Sequence, residues 1–119
     1  MSPELDATLR ADYPLTFTVE PIVDPDDLDI PAVQSAFAHW GFECGDGWYD
    51  LIGAPCLNLQ DATKNGAPQA IARQVKEKLG RLRFYTNGQD AEQTGMIELA
   101  ETMSARLCEV CGNRDRHVR

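Results

Sequence analysis

From Ala70 to Thr86 the chain alternates between core-facing and solvent-facing residue types, and the other patterned stretches arrange themselves around that segment. Ile71, Arg73 and Val75 alternate with Ala70, Ala72 and Gln74 as one strand. Leu82, Phe84 and Thr86 alternate with Arg81, Arg83 and Tyr85 as a second, the period of two that gives a strand one apolar and one polar face. Gly80 tolerates the positive φ of a tight reversal, and the charged residues 76–78 suit a solvated turn. The pattern predicts a β-hairpin over residues 70–86 with Leu82 and Phe84 against a core.

Helical spacing recurs on both sides of it. Asp90 is placed to cap a helix over 90–110 that turns Met96, Ile97, Ala100, Met103, Ser104 and Leu107 inward and Glu92, Glu98, Glu101 and Arg106 outward, with Gly112 as its stop. Asp46 is expected to cap another over 46–60 with Trp48, Leu51 and Ile52 inward. Gly53 and Pro55 predict a break there, followed by a resumed turn through Leu57 and Leu59. A third is expected over 31–40, started by Pro31, with Val33, Ala36, Phe37 and Trp40 on one side and Gly41 as its end. Leu15, Phe17 and Val19 alternate as a strand over 15–20, and residues 1–12 read as a short or frayed helix. The expected architecture is α+β: a small antiparallel sheet centred on the hairpin, packed against two to three helices. Residues 1–119 form one domain in this reading, with 113–119 as a flexible tail and a core of Trp40, Trp48, Leu51, Ile52, Val75, Leu82, Phe84, Ile97, Ala100 and Met103.

Charge changes the picture more than composition does. With 43% hydrophobic and 25% charged residues, the chain has the make-up of a globular protein rather than a disordered one. Its net charge of −8 is unevenly distributed: residues 1–62 hold twelve acids against Arg10 alone, whereas residues 63–119 hold ten Lys or Arg against seven acids. The densest acidic window lies between Pro21 and Pro31, where Asp24, Asp26, Asp27 and Asp29 interrupt three prolines. It reads either as a solvated connector or as a surface for a basic partner. No apolar run reaches membrane-span length and no basic-then-apolar leader opens the chain, which points to the cytoplasm and to reduced cysteines.

Three clusters carry possible chemistry. Cys108-Glu109-Val110-Cys111 has the spacing with which two thiolates grip a tetrahedral zinc, and His117 is a third candidate ligand. The alternative is a helix that ends in two reduced cysteines. Arg81, Arg83 and Tyr85 share one strand face that suits phosphate contacts and base stacking, with Arg73, Lys76 and Lys78 nearby, although basic side chains also guard sheet edges. His39, Asp46 and Asp50 form a conceivable acid–base group, with a surface histidine, a cap and a helix surface as the plainer assignment. Glycine-rich phosphate loops, paired-histidine metal motifs and serine elbows are missing, so no enzyme is expected.

Taken together, Trp40–Ile52 (WGFECGDGWYDLI), Gln74–Tyr85 (QVKEKLGRLRFY), Ala100-Glu101 with Ser104, and Cys108–Gly112 (CEVCG) resemble a family of small uncharacterised bacteriophage and prophage proteins. In such relatives the cysteine pair opens a zinc-ribbon-like tail with further Cys or His ligands, whereas only His117 follows the pair here. The resemblance implies a non-enzymatic accessory protein acting on the host, in the manner of anti-CRISPR inhibitors. The expected partner is a basic host protein such as a CRISPR–Cas component, met by Asp24, Asp26, Asp27 and Asp29, with Arg81, Arg83 and Tyr85 as further contacts. The alternative is a zinc-knuckle or basic-face nucleic-acid binder.

Overall fold

A computed structural model describes residues 1–19 and 35–114. The hairpin is its centre: β2 (Ile71–Lys78) and β3 (Arg81–Asn87) pair antiparallel around a two-residue turn. Leu79 and Gly80 both take positive φ, 55° and 80°, the combination that matches the twist of tightly turned strands. Glycine accepts that geometry freely, whereas Leu79 is held in it with its side chain 88% exposed.

The fold is α+β, as the patterning predicts, but the sheet is mixed. A two-residue strand β1 (Phe42–Glu43) adds parallel to β2, giving the order β1-β2-β3. In place of the predicted strand at 15–20 there is a turn over residues 14–17, and Glu20 lies outside the described residues. The Phe17 amide donates to the Tyr13 carbonyl, leaving Phe17 buried while Leu15 and Val19 face outward. Thr16 touches the sheet through one bond, its carbonyl accepting from the Ala72 amide at 2.8 Å. Alternation fails inside β2 as well. A bulge at Arg73 lies between the Ala72–Thr86 and Gln74–Tyr85 pairs, so Ala72 and Val75, three apart, both point inward.

Among the described residues there are four α-helices. The first, α1 (Pro3–Asp12), is capped by Ser2 and buries Leu9. Ser35 caps α2 (Ala36–Trp40), so this helix starts later than expected, and Pro31 and Val33 lie outside the described residues. It is so short that only Phe37 reaches the core. Gly41 turns the chain straight into β1, and Trp40 is left 66% exposed, contrary to its expected core place.

A 3₁₀ turn at Asp46–Trp48 leads into α3 (Tyr49–Lys64), and Asp46 does not cap it: its carboxylate accepts from the Ser2 amide at 2.6 Å. Nor does α3 break at Gly53 and Pro55. Ile52, Pro55, Cys56 and Leu59 are all buried along one stripe. Interior proline costs roughly 3 kcal/mol, and burying Ile52 and Leu59 returns roughly 1.5–3 kcal/mol each. Asp90 and Gln93 form a reciprocal capping box at the start of α4 (Ala91–Ser104), which ends six residues short of its predicted limit. Ile97, Ala100 and Ser104 are buried, and Met103 is 39% exposed rather than in the core.

The core lies between the helices and one sheet face. Trp48, Ile52, Val75, Leu82, Phe84 and Ile97 are buried there as expected, with Leu51 half-buried at its margin. A ring cluster of Phe17, Phe37, Phe42 and Phe84 was not foreseen. Its centroids lie 4.9–6.1 Å apart, with the Arg10 guanidinium 4.7 Å from the Phe37 centroid. Along the outer edge of β3, the Leu82 amide donates to Ser104 Oγ at 2.8 Å and the Phe84 amide to Glu101 Oε2 at 3.0 Å.

Ser104→Ala should therefore lower stability by roughly 1–3 kcal/mol, because it leaves a buried amide without an acceptor. Leu79→Asn should raise it by up to about 1 kcal/mol, since asparagine tolerates the left-handed region. Denaturant midpoints of the two variants check both signs.

Candidate functional site

The tight turn sets the hairpin register, and the register builds a surface. Gln74 lies opposite Tyr85, Lys76 opposite Arg83, and Lys78 opposite Arg81. With Val75, Leu82 and Phe84 buried against the core, strand alternation places these three pairs on the other face of the sheet. The expected trio of Arg81, Arg83 and Tyr85 is thus brought together and joined by Lys76 and Lys78. Like charges directly opposite one another weaken a sheet. Among the described residues no carboxylate forms a direct ion pair with them, the ion pair found there being Arg10 with Asp6 in α1. Glu43, next to Lys76 on β1, brings one carboxylate to the border of the array. Tyr85 is 50% exposed beside it. At the bulge, Arg73 Nε is buried with no hydrogen-bond partner.

Cys108 and Cys111 occupy a different place. After α4 the chain forms a narrow loop closed by a Leu107–Arg114 bridge, with the Cys108 amide donating to the Asn113 carbonyl and the Gly112 amide to the Cys108 carbonyl, both at 2.8 Å. Gly112, at φ 78°, shapes this loop rather than stopping a helix. The loop sits on the segment before α3. Gly47 N donates to the Glu109 carbonyl at 2.7 Å, Gly45 N to Glu109 Oε2 at 3.1 Å, and Trp48 Nε1 to the Leu107 carbonyl at 2.9 Å. A Cβ on Gly47 would stand 2.3 Å from the Cys108 carbonyl oxygen, and one on Gly45 would stand 2.4 Å from that of Glu109. Glycine at both positions is what permits the contact.

Among the described residues this loop offers two of the four ligands a zinc centre takes. It presents two thiols, Cys108 half-buried and Cys111 exposed, and no group of three His, Cys, Asp or Glu able to hold a metal exists among the described residues. His117 lies outside the described residues, as do Asp24, Asp26, Asp27 and Asp29. Cys44 and Cys56 are buried, and desolvation pushes both thiols up to about 12, so they are neutral and inert near neutrality. Of the conceivable acid–base group, Asp46 is bonded to the Ser2 amide and His39 packs edge-on against Trp40 with ring centroids 4.5 Å apart.

Alternation within one strand finds Arg81 and Arg83 but leaves Lys76 and Lys78 in the solvated turn rather than on their face. A turn of Leu79 and Gly80 alone would have found them, because it alone sets which residues stand opposite. No protein-family model matches the chain, and neither the curated proteins nor the solved structures give a significant match. No helix among the described residues is long and apolar enough to cross a membrane.

Alkylation of the native protein should label Cys111 and spare Cys44 and Cys56 until the chain is unfolded, as read by peptide mass mapping. Burial holds the folded Cys56 value above the unfolded one near 9. Its contribution to stability is therefore complete below that pH and declines as pH rises towards 12. Melting temperatures of the wild type should fall through this alkaline window, and Cys56→Ala should flatten the decline.

Proposed function

We propose that this chain is a non-enzymatic, phage-type accessory protein that binds single-stranded nucleic acid across the outer face of its sheet. The observation that carries this reading is the ladder of Lys76–Arg83 and Lys78–Arg81 beside Gln74–Tyr85. Two directly opposed like-charge pairs reduce stability in the free protein, and an anionic strand lying along them reverses that cost. The half-exposed ring of Tyr85 offers a stacking platform for a base. The net charge of −8 works against distant attraction of a polyanion. At ordinary salt, however, charges more than about 10 Å away are largely screened, so the local array decides.

A second reading keeps the partner a host protein with a basic surface, a CRISPR–Cas component being the example, contacted through Asp24, Asp26, Asp27 and Asp29. It is favoured by the charge split between the two halves of the chain. A zinc-knuckle form of the first reading would draw its ligands from Cys108, Cys111 and His117.

Fluorescence anisotropy with an oligothymidine strand tests the first. If four phosphates are neutralised, log affinity should fall with log salt at a slope of about −3, and Arg83→Glu or Lys76→Glu should make that slope shallower. Tyr85→Ala should weaken binding by about 1–3 kcal/mol. Absence of binding at low salt, or binding indifferent to Arg83→Glu, rejects the sheet face. Capture of a basic host protein that is lost when the four aspartates become lysine would establish the second reading instead.

A further inference from the structure

We propose that the cavity at the outer edge of β3 is a specificity pocket that takes a guanine from a strand lying on the sheet face, an inference that rests on the nucleic-acid reading above. The cavity has a volume of about 160 Å³, room for one planar base, and lies between the last residues of β3 and α4. Phe84 and Ile97 give it apolar walls. Tyr85 joins it to the basic face, since the same residue stands opposite Gln74 and beside the Lys76–Arg83 pair. A strand whose phosphates follow the cationic ladder therefore passes the mouth of the cavity, with the half-exposed Tyr85 ring at the crossing.

The polar groups around the cavity specify the base. Gln89 Oε1 is buried and accepts no hydrogen bond, a cost that a donor from outside removes. The Thr94 hydroxyl has already given its proton to the Asp90 carbonyl at 2.9 Å, so it offers lone pairs. Glu98 has no hydrogen-bond or ion-pair partner among the described residues, and Glu101 keeps one carboxylate oxygen beyond the Oε2 that accepts from the Phe84 amide. Ionised carboxylates only accept. Such a wall suits N–H groups on adjacent atoms, and among the bases guanine presents them, N1–H beside the N2 amino group on its Watson–Crick edge. Thymine presents one N–H between two carbonyls, which would face the carboxylates lone pair to lone pair. A guanidinium also carries paired donors, but the nearby Lys76, Lys78, Arg81 and Arg83 repel a cation and hold a polyanion.

Fluorescence anisotropy compares an oligothymidine strand with the same strand carrying one central guanine, and with one carrying inosine there, which lacks the N2 amino group. The guanine strand should bind about 5- to 150-fold tighter than oligothymidine, the range of one bidentate base contact. Inosine should lose most of that gain. Glu98→Ala, at an exposed helix position, should leave the thermal melt unchanged and bring the guanine strand down to the affinity of oligothymidine. If the three strands bind alike, the pocket is rejected while the sheet face stands. If none binds, the sheet face falls, and the pocket is decided by titrating free guanosine into the full chain labelled at its threonine methyls. Shifts of Thr86 and Thr94 with guanosine but not with thymidine uphold it. Silence of both methyls overturns it, as does a response to methylguanidinium without one to guanosine, which would assign the cavity to an arginine side chain of a protein.

Discussion

The outer edge of β3 needs acceptors for its amides, and α4 supplies them. A strand edge in contact with the core has neither water nor a neighbouring strand to satisfy its backbone. Ser104 and Glu101, three residues apart on one helix, meet Leu82 and Phe84, two apart on the strand. That match fixes the position of α4 along the sheet as well as its distance. From there the dependence spreads outward. The end of α4 sets where the Cys108–Cys111 loop emerges, and that loop closes on Gly45 and Gly47 at the entrance to α3. Glu101, Ser104, the two glycines and the cysteine loop are thus fastenings within the fold.

The surface is organised by the same frame. One face of the hairpin is given over to Leu82, Phe84 and Val75, which obliges every alternate side chain to project the other way. Four of the six paired positions there hold cations, beside Gln74 and Tyr85, while the helices on the opposite side carry acids such as Asp50, Asp61, Glu92 and Glu98. A sheet that only had to stay soluble would interleave signs across its strands. This one groups them, giving two surfaces of opposite character.

How much of this is legible in sequence depends on whether neighbours or distant segments decide. Asp90 with Gln93, and Leu82 with Phe84, are set by local spacing and stand where spacing puts them. Pro55 has the local signature of a breaker because its cost is visible in sequence, while the core it fills comes from distant segments. Phe42 gave no strand signal, since a two-residue strand has no periodicity, and it pairs with Val75 only once the hairpin exists. Trp40 looked internal by size and spacing, but a helix of five residues ending at Gly41 has room for one buried ring, and Phe37 takes it. The basic face was half legible: Arg81 and Arg83 came from alternation within one strand, and Lys76 and Lys78 required the pairing across the turn. The acidic reading rests on Asp24, Asp26, Asp27 and Asp29, which lie outside the described residues.

The segment Cys44–Trp48 is held from both ends of the chain at once. The Met1 amine donates to the Cys44 carbonyl and the Ser2 amide to Asp46, while Glu109 and Leu107 accept from Gly45, Gly47 and Trp48. Stretches more than sixty residues apart from one of their partners are thereby joined through five central residues. Local opening of such a segment releases both clasps together, so the amides of α1's first turn and of the cysteine loop are expected to exchange as one unit. The hairpin closes through a two-residue turn, whereas this clasp joins segments 43 to 64 residues apart and its closure carries the larger loop entropy.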